Sequence, residues 1–268
     1  MTTATAPLLE VEVVTLFPEL VRAQLAAGVV GRALKRGLVR VGTEDPRRYA
    51  TDVHRTVDDR PYGGGPGMVL KVEPLATAVA TAAARLPAGS PRIYLSAQGR
   101  SFDQAAARRL ASLPGFVLLA GRYEGVDERL LEESIDEELS IGDYVLSGGE
   151  LAALVVVDAT ARLVPGVLGA AESVAEESFG TDAVPGEAGE GDGAGGLLDW
   201  PHYTRPAEWR GRRVPEVLQG GNHAAIRRWR LKQALGRTWR RRPELLARRD
   251  LTGEERELLA EFLEEQRT

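Results

Sequence analysis

The chain has 268 residues, of which 43% are hydrophobic and 27% charged, enough apolar material for one large or two smaller folded domains. It has no cysteine and three scattered histidines, which excludes disulfides, thiolate metal sites and cysteine nucleophiles and argues against a histidine zinc site. The net charge of -5 hides an asymmetry: residues 171–200 hold eight acidic and no basic side chains, whereas residues 201–250 hold fourteen basic against four acidic ones. The second stretch suits a polyanion.

Taken in chain order, Met1 to Pro7 carries no basic residue, and the apolar run Leu8 to Phe17 is too short for a membrane span and wrongly flanked for export. A cytoplasmic location is expected. Val11 to Leu16 reads as a strand, Pro18 to Lys35 as a helix, Arg92 to Ser96 as a strand, Asp103 to Ala111 as a helix and Phe116 to Ala120 as a strand, an α/β alternation. Glu150 to Arg162 is apolar over most of its length and stops at Val164-Pro165-Gly166, which predicts a buried helix.

Residues 180–196 combine glycine and acid with few large apolar side chains, and cannot repay the entropy of ordering. The expected division is therefore a first domain over 1–169, a linker over 170–197 and a small, basic, helical domain over 198–268. In the last, Asn222 to Gly236 and Thr252 to Gln266 read as helices, with a further helix start at Arg242-Pro243-Glu244.

Three glycine-bearing segments carry the chemistry. Asp58 to Met68, Asp-Asp-Arg-Pro-Tyr-Gly-Gly-Gly-Pro-Gly-Met, has exposed amides able to approach a base or phosphate, and reads equally as a structural turn. It has neither a P-loop ending nor dinucleotide-fold spacing. Ala120 to Gly125 and Ile141 to Glu150 sit at strand ends, where α/β folds bind ligands. Tyr123 and Tyr144 there read either as site residues or as core aromatics. Arg162, closing the apolar helix, either complements the helix dipole or faces a reacting oxygen. Ile226 to Lys232 and Arg237 to Arg242 interleave arginine with Trp229 and Trp239, which suits RNA phosphates and bases, or else a solvated helix face with tryptophans in the core.

Together these segments resemble the bacterial tRNA (guanine-N1) methyltransferases acting at position 37, members of the SPOUT superfamily. The likeness runs from Val11 to about Phe262 and rests on His54 to Tyr62 with its glycine loop, Gly121 to Glu128, Ser140 to Glu150, Pro165 to Gly169, His202 to Pro206 and Gly221 to Leu246. It implies an α/β domain with a deep trefoil knot, a small all-helical C-terminal domain and a homodimer with its active sites at the subunit interface. It also implies S-adenosylmethionine as methyl donor, tRNA as substrate and assistance by magnesium (Mg2+).

Carried onto this sequence, the resemblance implies a donor site at Leu95, Ser96, Gly121, Tyr123, Glu124, Ile141, Gly142, Asp143, Tyr144, Val145, Leu146, Gly148 and Gly149. The guanine is expected near Asp58 and the Pro66-Gly67 turn, with His223, Arg227 and Arg228 on the tRNA. Arg162, from the same subunit as the donor, would neutralise charge on the guanine carbonyl oxygen, while a base from the partner removes the ring proton. The family's base is an aspartate in a Glu-Asp-Ser-Phe-like segment, and here Glu177 of Glu176-Glu177-Ser178-Phe179 takes its position. The chemistry is unchanged, but one extra methylene moves the carboxylate by roughly an ångström. Ala97 also replaces the family's more usual proline. The exchange at Glu177 leaves room for a second reading, an RNA-binding protein without catalysis, and a third is a SPOUT methyltransferase for another RNA site.

Overall fold

A computed structural model describes residues 6–169, 177–179 and 196–266. The chain divides into two compact units, residues 1–169 and 170–268.

The first unit is built on five parallel strands in the order β2-β1-β6-β5-β7: β1 (Leu9–Val14), β2 (Val39–Glu44), β5 (Arg92–Ser101), β6 (Gly115–Ala120) and β7 (Glu137–Ser140). A two-stranded antiparallel ribbon, β3 (Asp58–Asp59) with β4 (Val69–Leu70), lies apart from the sheet. Side chains alternate across a strand, and in β6 both sets are apolar: Phe116 and Leu118 enter one core, Val117 and Leu119 the other. The first core also takes α1 (Pro18–Leu25), α2 (Gly28–Lys35), α4 (Gln104–Ala111) and α6 (Glu150–Ala161). The second takes α3 (Val72–Ala83) and α5 (Glu128–Ser134).

The single helix expected over Pro18 to Lys35 is two helices. The first ends at Leu25; Ala27 is extended and Gly28 opens the second with a left-handed φ of +67°, a conformation no continuous helix holds. The strand expected over Arg92 to Ser96 runs on to Ser101 past an irregularity, and β2, β7, α3 and α5 carried no sequence expectation. Glu12 and Glu44 are buried but paired. Arg40 and Arg85 reach Glu12 at 2.9 and 3.2 Å, and Arg85 also meets Glu44, which satisfies charges that would otherwise be costly to bury.

The second unit has α7 (Glu216–Gln219), α8 (His223–Arg241), α9 (Pro243–Ala247) and α10 (Gly253–Glu265) among its described residues. It is not all-helical: Glu208–Trp209 and Arg212–Arg213 pair as a short antiparallel ribbon. Its core joins Leu197, Ala234, Leu235 and Leu258. Gly236 of α8 lies flat against the Phe262 ring, which lets α8 and α10 approach closely. Thr252 and Glu255 form a capping box at the start of α10. Among the described residues, no helix is long and apolar enough to cross a membrane.

Candidate active site

Three loops leave the C-terminal ends of the adjacent strands β6, β5 and β7. The first is an excursion of β5 itself: its register against β7 shifts between Leu95 and Arg100, so residues 96–99 leave the ladder. The second follows β6, where Gly125 N–H closes on the Arg122 carbonyl and Tyr123 adopts a left-handed φ of 60°, uncommon for a bulky residue. The third, after β7, is shaped by the Ser140 hydroxyl, which bonds both the amide and the carbonyl of Gly142.

These loops surround one cavity. Leu95, Ser96, Gly121, Tyr123, Glu124, Ile141, Gly142, Tyr144, Val145, Leu146, Gly148 and Gly149 all line it, and Asp143 does not. Tyr123 and Tyr144 are more than half exposed, so neither is a core aromatic. Sequence reasoning missed other lining residues, among them Tyr94, Gln98, Arg122, Leu139, Ser140 and Ala152. Arg122 was within the recognised Gly121 to Glu128 block, but nothing in its type distinguishes it from a surface arginine. Tyr94 reads as an ordinary strand residue. Its ring is buried beneath the pocket, and that burial, followed by the nearby Glu138 and Glu128 carboxylates, raises its hydroxyl pKa.

The glycines are steric necessities at two positions. A Cβ on Gly121 would stand 2.8 Å from the Tyr94 hydroxyl oxygen, and one on Gly149 would stand 2.7 Å from the Ala120 Cα. The cavity wall there is bare backbone, suited to a flat ring and to hydrogen bonding by amides and carbonyls.

Arg122 fixes the loops to one another. Its guanidinium donates to the Ser147 carbonyl at 3.1 Å, lies 2.9 Å from the buried Glu150 carboxylate and stacks 4.3 Å from the Phe17 ring centroid. The other Glu150 oxygen accepts from the Thr15 hydroxyl at 2.8 Å. Thus segments following β1, β6 and β7 share one anchor.

The Asp58 to Met68 loop adjoins this pocket. Glu124 N–H donates to the Met68 carbonyl at 3.0 Å, and Leu70 N–H to the Gly125 carbonyl at 3.0 Å. Asp58 is half-buried on β3 opposite Leu70; Pro66 and Gly67 are exposed. Gly67 has φ of +84° and rests against the Glu124 side chain, so a residue expected on the guanine touches one expected on the donor.

The remaining candidates are distributed differently. Helix α6 starts at the pocket and ends at Arg162, about 18 Å away for twelve helical residues. Just beyond it, the Gly166 carbonyl accepts from Arg36, next to the N-terminal ends of β1 and β2. Arg162 therefore lies at the far end of this helix from its own chain's pocket.

Glu177 belongs to the second unit, as do His223, Arg227 and Arg228. His223 and Arg227 are exposed on α8, but Arg228 makes a two-pronged pair with Glu261 at 3.0 and 2.5 Å. A cluster not expected from residue spacing joins α8 to the segment before it: Arg230 lies 4.8 Å above the Trp200 ring, Trp200 meets His202 at 5.8 Å, and Tyr203 meets Trp229 at 6.4 Å. The expected linker over 170–197 lies mostly outside the described residues. Within the described residues, no group of three or more His, Asp or Glu side chains is arranged to hold a metal ion.

Comparison with known proteins gives a consistent result. The family model tRNA (Guanine-1)-methyltransferase TrmD matches residues 9–248. Over 254 residues the chain is 59% identical to a tRNA (guanine-N(1)-)-methyltransferase of Methylococcus capsulatus, covering 95% of this chain and 96% of that one. It is 56% identical over 257 residues to the protein of the same name from Halorhodospira halophila, covering 96% and 92%. A third, from Chromohalobacter salexigens, is 57% identical over 262 residues, covering 96% and 93%. The chain belongs to the tRNA (guanine-1)-methyltransferase TrmD family.

Proposed function

We propose that this protein transfers a methyl group from S-adenosylmethionine to N1 of guanosine 37 of tRNA, beside the anticodon. The observation that carries this reading is the single cavity formed by twelve of the thirteen residues expected at the donor, within a chain of this family. The donor supplies an electrophilic methyl group; the protein binds it, orients the guanine and manages one proton.

The bare backbone at Gly121 and Gly149 accommodates the flat adenine and reads its edge through amides and carbonyls. Asp58 and the Pro66-Gly67 turn receive the guanine beside Glu124. N1 of guanine carries a proton and is a poor nucleophile, so Glu177 removes that proton as N1 attacks. Charge then grows on the guanine O6, and Arg162 stabilises it.

Since α6 carries Arg162 away from its own pocket, we assign that arginine to the pocket of a partner subunit. Helix α6 supports a dimer through this face. Leu151 and Val155 are about half exposed on a largely apolar helix, and helical spacing puts them on one stripe with Asp158 and Arg162. We read the crossing of the loops after β5, β6 and β7 as the trefoil knot of this superfamily. The first unit is the donor-binding domain, residues 170–197 the linker and the basic unit from 198 the tRNA-binding domain, with His223 and Arg227 toward RNA. The cell location that fits is the cytoplasm. The magnesium ion implied by the resemblance finds no matching cluster among the described residues.

The test is methyl transfer from labelled donor to a tRNA transcript with guanosines at positions 36 and 37, with the product nucleotide mapped. Methylation at N1 of guanosine 37, slowed to a small residual rate by Glu177→Gln while donor binding is retained, supports the enzyme and its base. Donor and tRNA binding without turnover would favour an RNA-binding protein instead.

A further inference from the structure

The candidate base sits in a stretch of backbone that is unusually well tied down. Next to Glu177, the Ser178 hydroxyl accepts a hydrogen bond from Asp199 N–H at 2.9 Å. One residue on, Phe179 N–H donates to the Leu197 carbonyl at 3.0 Å. Phe179 has a left-handed φ of 63°, a conformation that a bulky residue holds only when its surroundings impose it. The two ends of residues 180–196 are therefore brought together immediately after the base.

The receiving segment is itself fixed to the basic helix. Leu198 N–H donates to the Thr238 hydroxyl of α8 at 2.9 Å, and Thr238 is fully buried. Leu197 enters the core with Ala234, Leu235 and Leu258. The Asp199 carboxylate accepts from Trp200 N–H at 2.8 Å and meets the His202 ring at 2.7 Å, and Trp200 lies under Arg230. A continuous set of contacts thus runs from the residue beside Glu177 to the helix that carries Trp229 and Arg230.

We propose that Ser178 is a positioning residue for Glu177. Its hydroxyl pins the base-bearing segment to residues 197–199, so the carboxylate is presented by the same body that holds the aromatic and cationic cluster of α8. Engagement of RNA by that body then brings the base to the guanine as part of one rigid element. This inference rests on Glu177 being the base. It gives the extra methylene of glutamate a physical setting: a longer side chain works when the backbone that follows it is fixed. Asp199 contributes through its backbone amide to Ser178 and through its carboxylate to His202.

The experiment is single-turnover methyl transfer on full-length protein at saturating donor and tRNA, comparing Ser178→Ala, Ser178→Thr, Glu177→Gln and the double variant Glu177→Gln/Ser178→Ala. Loss of the hydroxyl is expected to slow the chemical step about tenfold, because small displacements of a catalytic group are costly. Donor and tRNA dissociation constants should stay within about twofold, and Ser178→Thr, which keeps the hydroxyl, should recover most of the rate. In the Glu177→Gln background Ser178→Ala should add less than about twofold, since a residue acting through the base has nothing left to position. A wild-type rate for Ser178→Ala would overturn the proposal. So would a loss matched by weaker tRNA binding, or one that multiplies fully onto Glu177→Gln. A wild-type rate for Glu177→Gln would instead remove the base assignment itself.

Discussion

The amide of Gly149 donates to the carbonyl of Gly121 at 2.8 Å, joining the loop after β7 to the loop after β6 at the floor of the cavity. Both residues are glycine because there is no space for a side chain at the crossing. A methyl group on Gly149 would meet the Ala120 Cα, which is backbone and cannot swing aside. Gly149→Ala is expected to weaken donor binding at least tenfold, roughly 1.4 kcal/mol, as the two loops are forced apart. Calorimetric titration of the donor checks this. Gly253→Ala is the control. Nothing lies near its Cβ, and at the start of α10 it should be neutral or stabilising by up to about 1 kcal/mol.

Arg122 and Glu150 give a second prediction. Arg122→Met leaves the buried Glu150 carboxylate with the Thr15 hydroxyl but without its cation, and should cost about 3 kcal/mol of stability, in the range for breaking a buried pair. Arg122→Met/Glu150→Gln removes the uncompensated charge and should recover a substantial part of that loss. Denaturant unfolding of both variants measures it. If the single variant were as stable as wild type, the arginine would not be the anchor of these loops.

How much of this was legible in advance varies with the kind of residue. The loops that line the cavity could be located because glycines and strand ends are marked in the sequence and because the blocks resemble a family. Tyr94 and Arg122 were not found, since their importance depends on what three separate loops place next to them. The Gly28 break was missed because apolar residues continue on both sides of it. Arg162 is legible as the end of a helix, but its separation from its own pocket is not, because that depends on the direction in which α6 runs. The pairing of Arg228 was not legible either, since Glu261 is far away in sequence.

Placing Arg162 in the partner's pocket has a direct test. Mixed dimers are prepared from an Arg162→Ala chain and a Gly149→Ala chain and assayed at a donor concentration well below the dissociation constant of the Gly149→Ala pocket, where each is strongly impaired alone. If Arg162 serves the partner, one site of the mixed dimer combines an intact pocket with an intact arginine, and activity should return to about half of wild type per dimer. If it serves its own chain, neither site is complete and mixing restores nothing. Methyl transfer after co-refolding of differently tagged chains distinguishes the two.

The pair between Arg92 and Asp136 gives a pH dependence with a defined sign. The Asp136 carboxylate accepts from the Arg92 backbone amide at 2.7 Å and from its guanidinium at 3.0 Å, and the Arg92 side chain holds its pKa below the usual carboxylate value. A depressed folded-state pKa stabilises the protein above the unfolded carboxylate pKa, and that contribution is lost as pH falls through the folded value. The pair is partly solvated, so the effect is modest. Asp136→Asn should lower the melting temperature at pH 7, with the difference from wild type shrinking toward pH 3. A difference that stays constant between these pH values would show that the ion pair is not its source.

The hydrogen bond from Phe179 to Leu197 leads to a prediction about the glycine-rich and acidic stretch between them. Those two residues are already in contact, so the intervening chain need not span any distance. Replacing residues 180–195 with Asn-Gly leaves a three-residue connection including Gly196, a length that natural chain reversals use readily. Shortening a connection whose ends already meet changes closure entropy only slightly, about 0.6 kcal/mol per halving. The shortened protein is expected to methylate tRNA within about threefold of the wild-type single-turnover rate and to unfold at equal or slightly higher denaturant. Its response to Ser178→Ala should match that of the full chain, because the hydroxyl and the Asp199 amide are both retained. A large loss of rate in the shortened chain, with stability unchanged, would mean that residues 180–195 themselves act on the substrate.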